Sequence, residues 1–323
     1  MSWLTVITVF LIVPIAELIL KDDGSNVPEY LEDGLRSGAS FTSMLLLHLP
    51  LQYIIVWRFL EAVSKNHYTA PELTGLILST AISLGGIGIT VAHELIHRPQ
   101  RWLKLAGELL LLPVLYIHFT IEHVRGHHKH VGTHRDPATA LYGEHIFGFW
   151  FKSVIGSYRS AWELELVRLK KSGKGFFSFS NAMLHYTLTT VIFFGGIYII
   201  YGAAAVFLFL LTAVISFTLL EIVNYIEHYG LERLEREPGR FEKVDIHHSW
   251  NSNTYISRYF LFELTRHSDH HMNATREYQI LRDIEESPRH PTGYPGMILL
   301  ALIPPLWRKV MDPLVEKFSV RGK

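Results

Sequence analysis

No cysteine occurs anywhere in the 323 residues. That absence excludes disulfide staples, thiolate zinc sites, iron–sulfur clusters and a thiol nucleophile together. Net charge is lacking as well. The 30 Lys and Arg balance 30 Asp and Glu, so no overall basic excess points to nucleic acid. There is no internal repeat, no disordered tail and no glycine-rich dinucleotide loop. Gly85, Gly86 and Gly88 fall inside an apolar run, where small residues serve close helix packing. A chain that is 49% apolar is too oily for an ordinary soluble domain, while 19% charged residues make it too polar to be membrane span throughout.

The apolar residues are gathered into runs. A hydrocarbon core of roughly 30 Å needs about 20 mostly apolar residues per helix. Five runs qualify, near 3–20, 42–63, 72–92, 182–202 and 203–223. The first lacks the basic start and small-residue cleavage site of a signal peptide, and Asp22 and Asp23 follow it, so it reads as a retained span. A sixth run over 103–120 carries Glu108, Pro113 and His118 and lies between two histidine clusters. Crossing the bilayer there would put those clusters on opposite faces, so this run is expected to be re-entrant or interfacial. The run from Gly296 to Trp307 is broken by Pro304 and Pro305. These features predict one all-α, integral-membrane helical bundle over 1–323, with 121–180 and 229–323 in water. Within 121–180 an amphipathic helix is expected from Lys152 to Lys171, followed by a Ser/Gly-rich loop. Arg98, Arg101, Lys104, Arg125, Lys129, Lys170, Lys171, Lys174, Arg258, Arg266, Arg276 and Arg308 all fall on that side, which makes it cytoplasmic by the positive-inside rule.

Histidine is the compositional excess, at 19 residues. Four clusters stand out: HELIH (His93, Glu94, His97), EHVRGHH (Glu122, His123, His127, His128), NYIEHYG (Glu227, His228) and RHSDHH (His267, Asp269, His270, His271). On an α-helix, residues three or four apart share a face, so His93/His97, His123/His127 and His267/His270/His271 are each expected to act as a partial chelate. Nine imidazoles exceed the usual four to six positions of one first-row ion, which argues for two metals. Fe, Zn, Cu and Ni all suit neutral nitrogen donors, and spacing does not choose among them. The acids Glu94, Glu122, Glu227 and Asp269 are expected to accept the second ring N–H of a histidine from another box. His247 and His248, in HHSWNSN, are further candidates for a supporting role, and the other histidines read as ordinary structural residues.

Two other chemistries fit less well. HELIH matches the H-E-x-x-H pattern of zinc metalloproteases, but that reading leaves seven boxed histidines unused. A metal transporter would place its ligands at mid-bilayer on broken helices, whereas these boxes lie at span ends and beyond.

The stretches RGHHKHVGTHRDPATA, NYIEHYGL, HHSWNSN, RHSDHH and PTGYPG resemble those of the integral-membrane alkane 1-monooxygenases, which are related to membrane fatty acid desaturases and xylene monooxygenase. The resemblance runs from about Ile12 to Pro313, and NYIEHYG separates this branch from the desaturases. It implies a six-helix bundle and two non-haem irons held on the cytoplasmic side of a bacterial inner membrane. The iron ligands it implies are His93, His97, His123, His127, His128, His228, His267, His270 and His271. It also implies a hydrophobic channel from the bilayer and O2-dependent hydroxylation of the terminal carbon of an alkane or alkyl chain. Acyl-chain desaturation or hydroxylation, and alkylaromatic oxidation, are the alternatives. Rubredoxin with its NADH-dependent reductase is the implied electron donor, since the chain has no flavin, nicotinamide or iron–sulfur site of its own. Two departures are visible. The chain starts at what resembles the family's second span, so one helix is expected to be absent. Arg98 stands where the family often has Lys.

Overall fold

The computed structural model describes residues 2–36 and 38–318, and nearly all of its regular structure is helical. The exception is a small antiparallel ribbon pairing Glu235–Glu237 with Arg240–Phe241. Among the described residues three helices are long and apolar enough to cross a bilayer: Ala39–Lys65, Ala70–His97 and Ala182–His228. Together with the histidine clusters described below, they make the chain a helical membrane protein.

The 47-residue helix Ala182–His228 is interrupted at Gly202, whose φ of 82° and ψ of 176° are open to glycine but strained for residues with a Cβ. The two parts each suffice for about 30 Å at 1.5 Å per residue. Leu4–Ile19 is apolar but shorter, with a π-helical segment at Thr8–Ile12.

Residues divide between two compact units. The first comprises 1–7, 40–126 and 158–220. In it the run 103–120 does not form one long helix. A helix over Arg101–Leu111 lies along Ile89–His97: a Cβ on Gly107 would come within 3.0 Å of the Ala92 carbonyl oxygen. The chain then turns through Leu112–His118, where Leu115 has a φ of 60°. Ending a helix inside protein leaves carbonyls open. Here Tyr53 Oη donates to the Leu109 carbonyl at 2.9 Å and Gln52 Nε2 to the Leu110 carbonyl at 2.8 Å. Leu112, Val114, Tyr116 and Ile117 of the turn are buried. Eleven residues extend about 16 Å, which is too short to cross the bilayer.

The second unit comprises 8–39, 127–157 and 221–323. Its core is aromatic: Phe149, Tyr225, Tyr229, Trp250, Tyr294 and Trp307 are all buried. Trp307, Met311 and Val315 recur every four residues, and this periodicity turns one face of the helix Pro304–Phe318 inward. Polar bonds hold the segment after Leu20 onto the region of the fourth histidine box. Arg258 Nη1 meets Asp23 Oδ2 at 2.8 Å, Arg266 Nη2 donates to the Ser25 carbonyl at 2.6 Å, and Arg282 meets Glu32 at 2.6 Å. The helix carrying Lys152–Lys171 begins earlier than its charge pattern predicts, spanning Ile146–Lys171.

Candidate metal centre

In the first unit, His93 and His97 lie one turn apart on the helix Ile89–His97 and face each other with ring centroids 4.9 Å apart. His123 joins them, 4.4 Å from His93 and 5.1 Å from His97, with its ring stacked on Phe119 at 4.5 Å. Apolar packing of this kind restricts the orientation of an imidazole.

In the second unit, ring nitrogens of His127, His228, His267 and His271 all lie within 4.8 Å of one another. His267 Nε2 stands 3.2 Å from His228 Nε2 and 3.0 Å from His271 Nε2. Two nitrogens on one ion at about 2.1 Å lie about 3.0 Å apart when their bonds meet at a right angle, so this set has the spacing of a shared first-row metal. His128 and His270 form a further pair with Nε2 atoms 3.1 Å apart. Burial holds His271 well below the usual imidazole value, and the neighbouring His267, His128, His127 and His228 add to the shift. The neutral ring that results is the form that binds metal.

The second box departs from the shared face expected of it. His123–His127 is a π-helical turn, in which the i→i+5 hydrogen bond widens the spiral and changes the angle between residues four apart. His123 accordingly belongs with His93 and His97, and His127 with His228, His267 and His271. Within that turn a Cβ on Gly126 would lie 2.5 Å from Glu122 Oε1, so a larger residue there would displace the Glu122 carboxylate. The fourth box divides as well: His267 and His271 join the quartet, while His270 faces His128.

The acids of the boxes take different partners. Glu227 Oε2 lies 3.2 Å from His267 Nε2, and Glu227 Oε1 accepts the Tyr294 hydroxyl at 2.7 Å. Glu94 pairs with Arg98 at 2.8 Å, both of them buried. Glu122 receives the Ser160 hydroxyl at 3.3 Å. Asp269 accepts from Arg276 at 2.9 Å, from the Arg282 amide at 2.9 Å and from Asn273 at 2.9 Å, so it braces the box's own loop. His248 reaches the quartet through its backbone, its carbonyl 3.4 Å from His228 Nδ1, while its ring faces Glu242 and Asp245. His247 is exposed beside Asp245.

One supporting residue was not assigned a role from the sequence. Asp136 Oδ2 lies 2.9 Å from His127 Nδ1 and accepts the Thr139 hydroxyl at 2.6 Å. Burial pushes the Asp136 carboxyl up, yet the facing His127 ring and the Thr139 hydroxyl outweigh it and hold the group below the usual carboxylate range. The available signal was an acid followed three residues later by a hydroxyl in the turn-forming stretch HRDPATA. Tyr294, in PTGYPG, carries no local pattern that marks it as a partner of Glu227.

The sequence profile described as fatty acid desaturase matches residues 69–298, a span that includes all of these histidine clusters. The chain belongs to that family. It is 41% identical over 318 residues to alkane 1-monooxygenase 2 of Pseudomonas aeruginosa, covering 98% of this chain and 84% of the relative. It is 38% identical over 311 residues to alkane 1-monooxygenase of Acinetobacter baylyi, covering 96% and 76%. The hydroxylase component XylM of the xylene/toluene monooxygenase of Pseudomonas putida is more distant, at 31% over 265 residues, covering 81% and 70%. Within the desaturase family this chain is a member of the alkane 1-monooxygenases.

Proposed function

We propose that the chain is a di-iron alkane 1-monooxygenase that hydroxylates the terminal carbon of an alkane or alkyl chain. The similarity to several alkane 1-monooxygenases over nearly the whole chain carries this reading, and the all-imidazole donor clusters support it. The quartet His127, His228, His267 and His271 would hold one iron, and the triad His93, His97 and His123 would supply donors to the other. His128 and His270 are the remaining donors of the pair of ions. Donors that are all neutral suit iron, which in its reduced form activates dioxygen and supplies the oxidising power that an unactivated C–H bond requires.

The residues of the chain then have defined tasks. Asp136 holds His127 by its Nδ1, leaving Nε2 directed at the metal position. Tyr294 keeps the Glu227 carboxylate beside His267. Phe119 keeps the His123 ring in place. A substrate dissolved in the bilayer reaches the site without crossing water, which accounts for a hydroxylase built on membrane helices.

The site faces the cytoplasm of a bacterial inner membrane. Lys129, Lys170, Lys171 and Arg276 give that side its basic character, and the segment after Leu20, bonded to the fourth box, lies on the same side. The electron donor is a separate protein, because the chain has no cysteine to hold a redox cluster of its own, and the resemblance to the alkane 1-monooxygenases points to rubredoxin with its NADH-dependent reductase.

Two measurements test this reading. Purified enzyme is expected to hold about two irons per chain, falling towards one in H271A or H97A, since loss of a donor costs affinity. Cells supplied with alkanes, alkylaromatics and fatty acids are expected to yield primary alcohols from the alkanes. One zinc and no iron, or desaturated acyl chains as the sole product, would overturn it.

A further inference from the structure

Residues 172–181 link a basic helix end to the apolar helix that starts at Ala182, and they carry three aromatic side chains turned outward. Phe177 is 87% exposed and Phe179 is 96% exposed, with Phe176 at 44%. Side chains this large and this exposed mark a contact surface. The segment is ordered by its own bonds. Lys174 N donates to the Leu169 carbonyl at 2.9 Å, Asn181 Nδ2 to the Phe176 carbonyl at 2.8 Å, and Glu165 Oε1 accepts the Ala182 amide at 2.7 Å. Phe176 stacks on Trp162, with ring centroids 5.5 Å apart and planes 10° apart. The aromatic tip is therefore held in place.

Two features indicate what it meets. Lys170, Lys171 and Lys174 lie in the same stretch of chain as the aromatics and are all exposed, so the segment is cationic and apolar together. It also runs directly into the apolar helix, whose Leu188, Val191 and Ile192 point outward on the first turns. We propose that Lys170–Ser180 is an interfacial anchor that seats Phe176, Phe177 and Phe179 at the boundary of headgroups and acyl chains. Its three lysines engage the phosphates of anionic phospholipid. The anchor fixes the depth at which the apolar helix enters the bilayer and ties the preceding basic helix to the membrane surface. It rests on the membrane reading given above.

The cysteine-free chain permits a direct test in full-length enzyme. Phe177→Cys and Phe179→Cys, carrying nitroxide labels in nanodiscs of phosphatidylcholine with a quarter phosphatidylglycerol, are expected to collide more with dissolved oxygen than with a water-soluble nickel chelate. Ser172→Cys is expected to show the reverse. Ile192→Cys serves as the lipid reference. A wet label at 177 and 179 with 192 in lipid overturns the anchor alone, whereas a wet label at 192 overturns the membrane reading itself. Shielding of 177 and 179 only after an electron-carrier protein is added would make this a protein contact and also overturn the proposal. Replacing Lys170, Lys171 and Lys174 by Gln is expected to weaken association of spin-labelled phosphatidylglycerol by roughly fivefold per lysine, and an unchanged association would overturn the headgroup contact.

Discussion

The Asp136 carboxylate receives His127 Nδ1 at 2.9 Å although the two residues lie nine positions apart and belong to different turns of the chain. Both are buried, with side-chain exposures of 0% and 2%. The pairing sets which ring nitrogen of His127 is left for a metal, and it raises the basicity of that nitrogen.

Asp136→Asn keeps the shape and a carbonyl acceptor but removes the charge. It is expected to reduce iron affinity or turnover by about 10- to 100-fold while the protein remains folded, with Asp136→Ala lower still. Metal content and alcohol formation measured on the same preparation check this. Full activity and full iron in both variants would show that His127 is oriented by something else.

His290 provides a pH dependence separate from the metal ligands. It is buried, with its ring stacked on Trp250 at 5.7 Å, and burial lowers its pKa from 6.5 to about 3. The folded protein keeps this ring neutral while the unfolded chain takes up a proton below about 6.5. Stability is therefore lost as pH falls from 6.5 towards 3, at up to about 1.4 kcal/mol per pH unit. Thermal unfolding in detergent at pH 7 and pH 5 is expected to show a larger drop for the native chain than for His290→Phe. Equal drops would mean that His290 does not set the slope.

Topology is testable with single cysteines, because the native chain has none. A cysteine at Ser172 is expected to be protected from an impermeant reagent applied from outside, and one at Lys65 is expected to react. Ser319, the matching probe near the end of the chain, lies outside the described residues. Outside labelling at Ser172 would place the helix Ile146–Lys171 and the histidine boxes on the wrong side of the membrane.

Electron supply is the last test. Enzyme with alkane, dioxygen and NADH alone is expected to be inactive, and addition of rubredoxin and its reductase is expected to restore alcohol formation. A small acidic carrier meeting a basic surface that includes Lys129 is steered by charge, and screening tightens from about 10 Å at 0.1 M salt to about 3 Å at 1 M. Added salt should therefore raise the apparent KM for rubredoxin more than it lowers kcat. Sustained turnover driven by NADH without a carrier would disprove the assignment.

The sequence by itself determined the helical membrane frame and the donor chemistry. Apolar runs of bilayer length, the want of cysteine and four clusters of histidine left few alternatives, because hydrocarbon demands internally bonded backbone and imidazole was the metal donor gathered into clusters. The facing pair His93 and His97 follows from α-helical period alone. How the other donors divide was decided by tertiary structure. A π-turn at His123–His127 sends neighbouring histidines to different groups, and no helical period written in residue types anticipates an inserted i→i+5 bond. The acid that orients His127 comes from a turn at Asp136, and the hydroxyl that orients Glu227 comes from Tyr294, 67 residues further along the chain. Those partners are chosen by which side chains packing brings within 3 Å of a buried polar atom. That depends on the closure of long loops around the aromatic core of Tyr225, Trp250 and Trp307, and no local pattern encodes it.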